Sequence, residues 1–167
     1  VLFRTGEIVA GIEDVIRAAR SAGAKVLLDV YHHAGVVPLD LAALEADFAV
    51  GGSYKYTRGG PGACWLYVHP RWHGLRTLDT GWFAKDRPFS YEQPDPPRFA
   101  PGGDAWLEST PPVLAPVQAL AGLEFTLAAG VERLRAWHLS QKQRFAALLA
   151  GRGIRADGAG AEFGAFL

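Results

Sequence analysis

The spacing of apolar residues predicts alternating helix and strand in the first half of the chain. Apolar side chains repeat every three or four positions over residues 11–22, which predicts a helix. The run Val26–Leu28 is too short for a helix and predicts a buried parallel strand. Phe48–Val50 and Ala63–Val68 predict a second strand and a hairpin-like return, and residues 38–45 a short helical piece. This order predicts an α/β fold with a mainly parallel sheet.

The second half of the sequence is helical after a long irregular stretch. Residues 70–101 are rich in Pro, Gly and Trp and show no periodicity, which is typical of a functional loop or an interface. The apolar spacing then predicts a helix that starts at 110–112 and ends at Ala129. Gly130 separates it from a second helix over Val131–Leu149. Residues 154–167 are expected to begin a smaller domain.

Both ends of the sequence are apolar. The chain starts without Met at Val1–Phe3, which is interpreted as the end of a strand, and it stops within the apolar run Phe163–Leu167. Natural termini usually lie outside strands. We therefore interpret the chain as an internal fragment of a longer protein.

The charge balance and the cysteine content of the sequence limit which binding partners and which cellular compartment are predicted. Seventeen basic and seventeen acidic residues give no net charge, so neither a nucleic acid nor an anionic membrane surface is predicted as a partner. Cys64 is the only cysteine, which excludes an internal disulfide framework and is typical of a reducing cytoplasm. The sequence shows no leader, no long apolar span and no cluster of metal ligands, so we expect a cytoplasmic protein without a metal site.

Two polar residues suggest a specific chemistry. Lys55 lies between two tyrosines in a glycine-rich stretch, where its amine could attack a carbonyl group. Asp29 follows a buried strand, at the sheet edge where open α/β sheets bind ligands. Pyridoxal phosphate (PLP) sites combine a lysine Schiff base with a carboxylate that binds the pyridine nitrogen. Alternatively, Lys55 is an ordinary surface lysine and Asp29 a helix cap or a structural ion pair.

Three stretches resemble the kynureninase branch of the class V aminotransferase superfamily, whose members are fold-type I PLP-dependent enzymes. They read LDVYHHAGVVPLD (28–40), DFAV (47–50) and SYKYTRGGPG (53–62), and the lysine motif is the most specific of them. The resemblance covers most of the chain. It implies that residues 1–128 form the second half of the PLP-binding large domain, and that 129–167 form a linking helix and the start of the small C-terminal domain. It also implies a homodimer with the site at the subunit interface.

The resemblance also assigns roles to individual residues. Lys55 would be the catalytic Schiff-base lysine, and Asp29 would keep the cofactor's ring nitrogen protonated. His32 matches a family histidine close to the cofactor, while Tyr54 and Trp82 match residues that contact its phosphate. Without the resemblance, these three would be interpreted as a structural histidine, a core tyrosine and an interface aromatic. His33, Tyr56 and Arg58 receive no role from the family pattern.

One position departs from the kynureninase pattern. Thr110 stands where kynureninases have an asparagine that contributes to the cofactor and substrate pocket, although other class V enzymes have threonine there. The expected function is hydrolytic Cβ–Cγ cleavage of a kynurenine-type amino acid. The alternatives are a class V aminotransferase, a lyase or desulfurase, and a non-catalytic homologue. Desulfuration ranks last among the enzymes, because Cys64 is expected inside an apolar strand.

Overall fold

The computed structural model describes residues 5–167. The strand end predicted at Val1–Phe3 lies outside the described residues. Within them, the helices and strands follow the predicted order. The three helices are α1 (Ile12–Ser21), α2 (Leu114–Ala129) and α3 (Val131–Ala150). The three strands are β1 (Leu27–Asp29), β2 (Phe48–Gly52) and β3 (Cys64–Val68).

The described sheet is mixed and has the order β1-β2-β3. β1 runs parallel to β2, with Leu28 opposite Ala49. β3 returns antiparallel to β2, with Gly52 opposite Cys64, as the hairpin-like return predicted. One of the two strand pairs is therefore parallel, and the carboxyl ends of β1 and β2 meet at the same edge of the sheet.

One face of this sheet carries the core. Leu28 and Ala49 are buried, and they cluster with Val30 and with Ile16 of α1. On the opposite face Leu27 is 57% exposed. The alternation along β1 therefore distinguishes a buried face, covered by α1, from a face on which the β1 side chains are exposed.

The predicted helical piece over residues 38–45 is a set of turns. Asp40 acts as a cap, because its Oδ1 accepts hydrogen bonds from the backbone N–H groups of Ala42 and Ala43, both at 2.9 Å. A single i→i+4 bond forms, from Leu44 N to Asp40 O at 3.0 Å. Glu45 then takes a left-handed conformation with φ of 53°, which ends the turn after one cycle.

The irregular stretch from residue 70 contains four short 3₁₀ helices: Pro70–Trp72, Trp82–Ala84, Pro88–Ser90 and Gly102–Trp106. After it, α2 and α3 meet at Gly130 at an angle of 81°. Gly130 has φ of 79°, a left-handed conformation that glycine adopts without strain. No single helix among the described residues is long and apolar enough to cross a membrane; α2 and α3 reach the required length and apolar character only as this bent pair.

Asp47 joins the start of the sheet to the first 3₁₀ helix. Its nearly buried carboxylate accepts hydrogen bonds from Val26 N at 2.9 Å and from Trp72 Nε1 at 2.6 Å, and Arg71 Nε lies 3.6 Å away. Burial opposes ionisation, but the hydrogen bonds and the Arg71 charge outweigh it and hold the pKa of Asp47 below its ordinary value. The charged form of Asp47 therefore stabilises the fold.

Replacing Asp47 with asparagine should destabilise the full-length protein that carries this chain by about 1–3 kcal/mol at neutral pH. A carboxyl group whose pKa is lowered on folding stabilises above its unfolded pKa of about 3.9, and this contribution is lost as the pH falls through the lower folded pKa. The difference in unfolding free energy between wild type and Asp47→Asn should thus be largest near pH 7 and shrink below about pH 4. Urea unfolding at several pH values measures it.

Asp14→Asn is the matched control, since the exposed Asp14–Arg17 pair on α1 should contribute less than about 0.5 kcal/mol. A difference for Asp47→Asn that stays constant across the pH range would contradict the role of its charge.

Candidate functional site

The two residues with the clearest predicted chemistry lie at the same edge of the sheet. Asp29 is the last residue of β1, and Lys55 follows shortly after Gly52, the last residue of β2. Because β1 and β2 are parallel, their carboxyl ends are neighbours. Asp29 is exposed, and its Oδ1 accepts a hydrogen bond from Tyr31 N at 3.1 Å. The carboxylate is open to solvent and forms no ion pair within the described residues, but its bond to Tyr31 N caps the turn that follows β1, so the cofactor role of Asp29 stays a prediction.

The Lys55 amine contacts the His32 imidazole. Lys55 is half-buried, and its Nζ lies 2.7 Å from His32 Nε2. An ammonium group has donors only, so when Lys55 is in that form it donates and Nε2 accepts as the unprotonated ring nitrogen. The contact directs the amine of Lys55 towards a residue that follows β1, although the lysine itself follows β2.

Two tyrosines surround the same amine. Lys55 Nζ lies 5.4 Å from the ring centroid of Tyr54 and 6.0 Å from that of Tyr31, and the two rings are 5.7 Å apart. A hydrogen bond with the Cys64 thiol, together with burial and neighbouring charges, raises the pKa of Tyr31 to about 12. The Tyr31 phenol therefore stays protonated at neutral pH. Tyr31 was not among the residues predicted from the sequence, and its only local signal is its position two residues after Asp29.

Cys64 corrects an expectation. It was expected inside an apolar strand, but it is the first residue of β3, and its side chain is exposed. The register explains the difference: Cys64 pairs with Gly52 at the last position of the β2–β3 ladder, at the end of the sheet next to Tyr31. Burial therefore does not exclude the Cys64 thiol from the chemistry of the site, contrary to the prediction.

Helix α2 packs directly on the backbone of the lysine loop, defined here as residues 53–62. A Cβ on Gly122 would lie 2.3 Å from Arg58 O and 2.7 Å from Gly59 N, so only glycine permits this approach. Gly59 N also donates to Ser53 O at 2.6 Å, which closes the loop on itself. The position of Lys55 is thus fixed by contacts of the loop backbone.

Trp82 and Thr110 lie on two segments that contact each other. A Cβ on Gly81 would lie 1.0 Å from Glu108 O, so the backbones pack without an intervening side chain. The Trp82 ring contacts Phe83 and Phe89, at centroid distances of 4.6 and 5.5 Å. Thr110 is exposed. Within the described residues, no polar or ring contact joins either residue to Lys55, and their cofactor roles stay predictions.

The three residues without a predicted role occupy different environments. His33 is buried, Arg58 is exposed, and burial raises the pKa of Tyr56. Tyr56 and Arg58 line a cavity of about 190 Å³ that also contacts His138 of α3. Residues 5–167 contain no group of three or more His, Cys, Asp or Glu side chains arranged to hold a metal ion.

Residues 4–155 match the family model described as aminotransferase class-V. The chain belongs to the class V aminotransferase family. A kynureninase from Stenotrophomonas maltophilia (strain K279a) is 35% identical over 157 residues, which cover 91% of this chain and 36% of that protein. The predicted resemblance to the kynureninase branch is thereby confirmed. The chain spans about a third of the length of this relative.

Solved structures confirm the fold class. The apo cysteine desulfurase of Thermococcus onnurineus NA1 superposes with a TM-score of 0.74 at 18% identity, covering 96% of this chain and 40% of that one. A variant of C-DES, a cystine C–S lyase, superposes with a TM-score of 0.73 at 24% identity, covering 90% and 39%. In that variant glycine is covalently linked to the PLP cofactor. The chain therefore has the fold of part of a fold-type I PLP-dependent enzyme.

Proposed function

We propose that this chain carries the lysine side of the active site of a PLP-dependent enzyme that acts on an amino acid, most like a kynureninase. The observation that carries this proposal is the contact of 2.7 Å between Lys55 Nζ and His32 Nε2, at the sheet edge where Asp29 lies. The kynureninase relative, which matches 91% of the chain, supports the substrate class. When bound, pyridoxal phosphate supplies an electron sink for negative charge at the substrate Cα.

The side chains at the site fit this cofactor. The primary amine of Lys55 suits an aldehyde carbon, and the open carboxylate of Asp29 suits a protonated ring nitrogen. The Tyr54 phenol, the Trp82 indole and the Thr110 hydroxyl are hydrogen-bond donors for phosphate oxygens or a neighbouring polar group. All three lie in exposed or partly exposed positions, where a ligand can reach them.

The residues of the chain then perform two tasks. Lys55 takes and returns the proton at the substrate Cα, because its amine alternates between a base and an ammonium. His32 accepts a hydrogen bond from this amine and so limits its directions of movement. For a kynurenine-type substrate the overall reaction consumes one water and cleaves the Cβ–Cγ bond, which yields alanine and an aromatic acid.

A class V aminotransferase is the alternative that Thr110 favours. The asparagine amide in kynureninases presents a donor and an acceptor on two separate atoms, whereas a threonine hydroxyl has both functions on one oxygen. An aminotransferase would need a 2-oxo acid as second substrate, whereas hydrolysis of kynurenine needs only water. Product analysis with and without an added 2-oxo acid separates the two reactions.

Cysteine desulfuration is a further candidate, which the exposed Cys64 favours. Its thiolate would attack the substrate sulfur while the substrate C–S bond breaks, so that alanine leaves and a persulfide stays on Cys64. The Tyr31 phenol, whose pKa is raised by the neighbouring Cys64 thiol, would supply a hydrogen-bond donor beside it. Incubation with L-cysteine and detection of a persulfide on Cys64 tests this reading.

The larger assembly is proposed on the same basis. Residues 1–128 are assigned to the PLP-binding large domain, and residues 129–167 to the linking helix and the start of the small domain. The bend of 81° at Gly130 supports a boundary there. The enzyme is proposed to be a cytoplasmic homodimer, with Trp82 contributing to a site at the subunit interface.

The test is reduction of the full-length protein with borohydride, followed by digestion and mass spectrometry. We expect a pyridoxyl adduct on Lys55 and loss of the visible cofactor absorbance. A colourless protein, or an adduct on a different lysine, would overturn the proposal and favour a non-catalytic homologue.

A further inference from the structure

Two buried cations of α3 hold the segment 161–167, which we call the C-terminal segment. Lys142 is 4% exposed and Arg135 is 8% exposed, and neither forms an ion pair within the described residues. Their donors instead bind backbone carbonyl groups. Arg135 Nη2 donates to Ala161 O at 2.8 Å and to Phe163 O at 2.6 Å, and Lys142 Nζ donates to Gly164 O at 2.9 Å.

This arrangement fixes the C-terminal segment to the helix. Burying a cation without an opposite charge is unfavourable unless its donors are satisfied, so the carbonyl groups of the segment must stay in place. Burial lowers the pKa of both Arg135 and Lys142; the Arg135 charge adds to this lowering for Lys142, and the Glu162 carboxylate opposes it only in part. A second attachment comes from Gly164 N, which donates to Gly6 O at 2.8 Å.

The segment held in this way brings Phe166 to the candidate site. The Phe166 ring packs against the His32 ring, with centroids 5.7 Å apart and planes inclined by 52°. On another side it fills the space over Gly6, where a Cβ would lie only 2.8 Å from Phe166 Cδ2. His32 is therefore in contact with the aromatic ring of Phe166 and with the amine of Lys55 at the same time.

We infer that Phe166 is a positioning residue for the contact between Lys55 and His32. The inference rests on the proposed function of Lys55. An imidazole can rotate about its side-chain bonds, and the Phe166 ring restricts the plane in which it lies. Without that ring, His32 Nε2 would face Lys55 Nζ for a smaller fraction of the time, and the amine would lose its defined direction. Misplacement of a reacting group by about 1 Å can lower a rate by 10²-fold.

Replacing Phe166 with leucine in the full-length holoenzyme should lower kcat by about tenfold while KM changes little, because the amine rather than substrate binding is disturbed. Phe166→Tyr keeps the ring and should restore kcat. Phe145→Leu is the control, since this phenylalanine of α3 is 53% exposed and no ring contact within the described residues joins it to His32 or Lys55. An unchanged kcat in Phe166→Leu would overturn the inference.

Coupling to His32 separates positioning from a general loss of structure. If Phe166 acts through the imidazole, Phe166→Leu should have no further effect on kcat in a His32→Asn background. If the losses of kcat from the two substitutions multiplied in the double variant, the inference would be overturned. Phe166→Met, which keeps an apolar side chain of similar volume, replaces the leucine variant if that one unfolds.

A measurement without cofactor distinguishes this inference from the proposed function. In the cofactor-free protein with labelled histidine, Phe166→Leu should shift the His32 ring resonance, because the neighbouring aromatic ring is lost. A resonance that does not move would overturn the inference even if Lys55 carries the cofactor. Conversely, absence of a pyridoxyl adduct on Lys55 in the wild type would contradict the proposed function. The packing of Phe166 on His32 would then still be tested by this resonance shift.

Discussion

Replacing Lys55 with alanine should lower turnover of the full-length enzyme by on the order of 10³-fold or more, the largest loss expected for any single substitution in this chain. General acid–base catalysis alone contributes roughly 10²–10⁴-fold, and the same amine is also assigned the covalent bond to the cofactor. The contact with His32 also orients the Lys55 amine, and this oriented amine is lost in the alanine variant. Steady-state kinetics with kynurenine measure the loss, and a small primary amine added to Lys55→Ala should restore part of the rate.

Two further variants make this prediction specific. Lys55→Arg keeps the positive charge, but a guanidinium group is always protonated and cannot act as a nucleophile, so this variant should be as inactive as alanine. Lys25→Ala removes an exposed amine that lies 4.6 Å from the Trp72 ring centroid and should leave kcat unchanged. Substantial turnover in Lys55→Arg would show that charge, rather than the amine, is what the site requires.

The relation between Lys55 and Asp29 could be predicted from the sequence because it depends on short-range patterns. Each residue follows a short apolar run, and two such runs in an α/β order form neighbouring parallel strands whose carboxyl ends coincide. The helix end at Gly130 was predictable for a similar reason, since it depends on residues close in sequence. The residues around Lys55 then indicated one branch of a family, whereas the spacing of apolar residues indicated only an α/β fold.

The remainder of the site depends on long-range contacts that no local pattern encodes. The segment that brings Phe166 to His32 is held by Arg135 and Lys142 of α3, which bind its carbonyl groups from 22 to 28 positions earlier in the chain. The exposure of Cys64 follows from its register against Gly52, which apolar content alone does not determine. Both cases require knowledge of which face of an element meets which neighbour.

Replacing Gly81 with alanine should destabilise the full-length protein by about 3 kcal/mol and weaken cofactor binding with it. The added Cβ would lie 1.0 Å from Glu108 O and 2.0 Å from Glu108 C. These are backbone atoms, so no side-chain rotation relieves the overlap, and the segments that carry Trp82 and Thr110 must separate. Since both residues are proposed to contact the cofactor, the Kd for pyridoxal phosphate should rise along with the loss of unfolding free energy.

Gly74→Ala is the matched control within the same irregular stretch, because a Cβ on Gly74 meets no atom within 4 Å. Urea unfolding and cofactor titration of both variants provide the comparison. If Gly81→Ala lost stability but kept the wild-type Kd, the contact with Glu108 would be structural only, and the roles proposed for Trp82 and Thr110 would fail. If the two alanine variants behaved alike in both measurements, the close packing of these segments would itself be contradicted. The expected result is that only Gly81→Ala loses both stability and cofactor affinity. This would show that the two predicted cofactor contacts, at Trp82 and Thr110, depend on one backbone contact that only glycine permits.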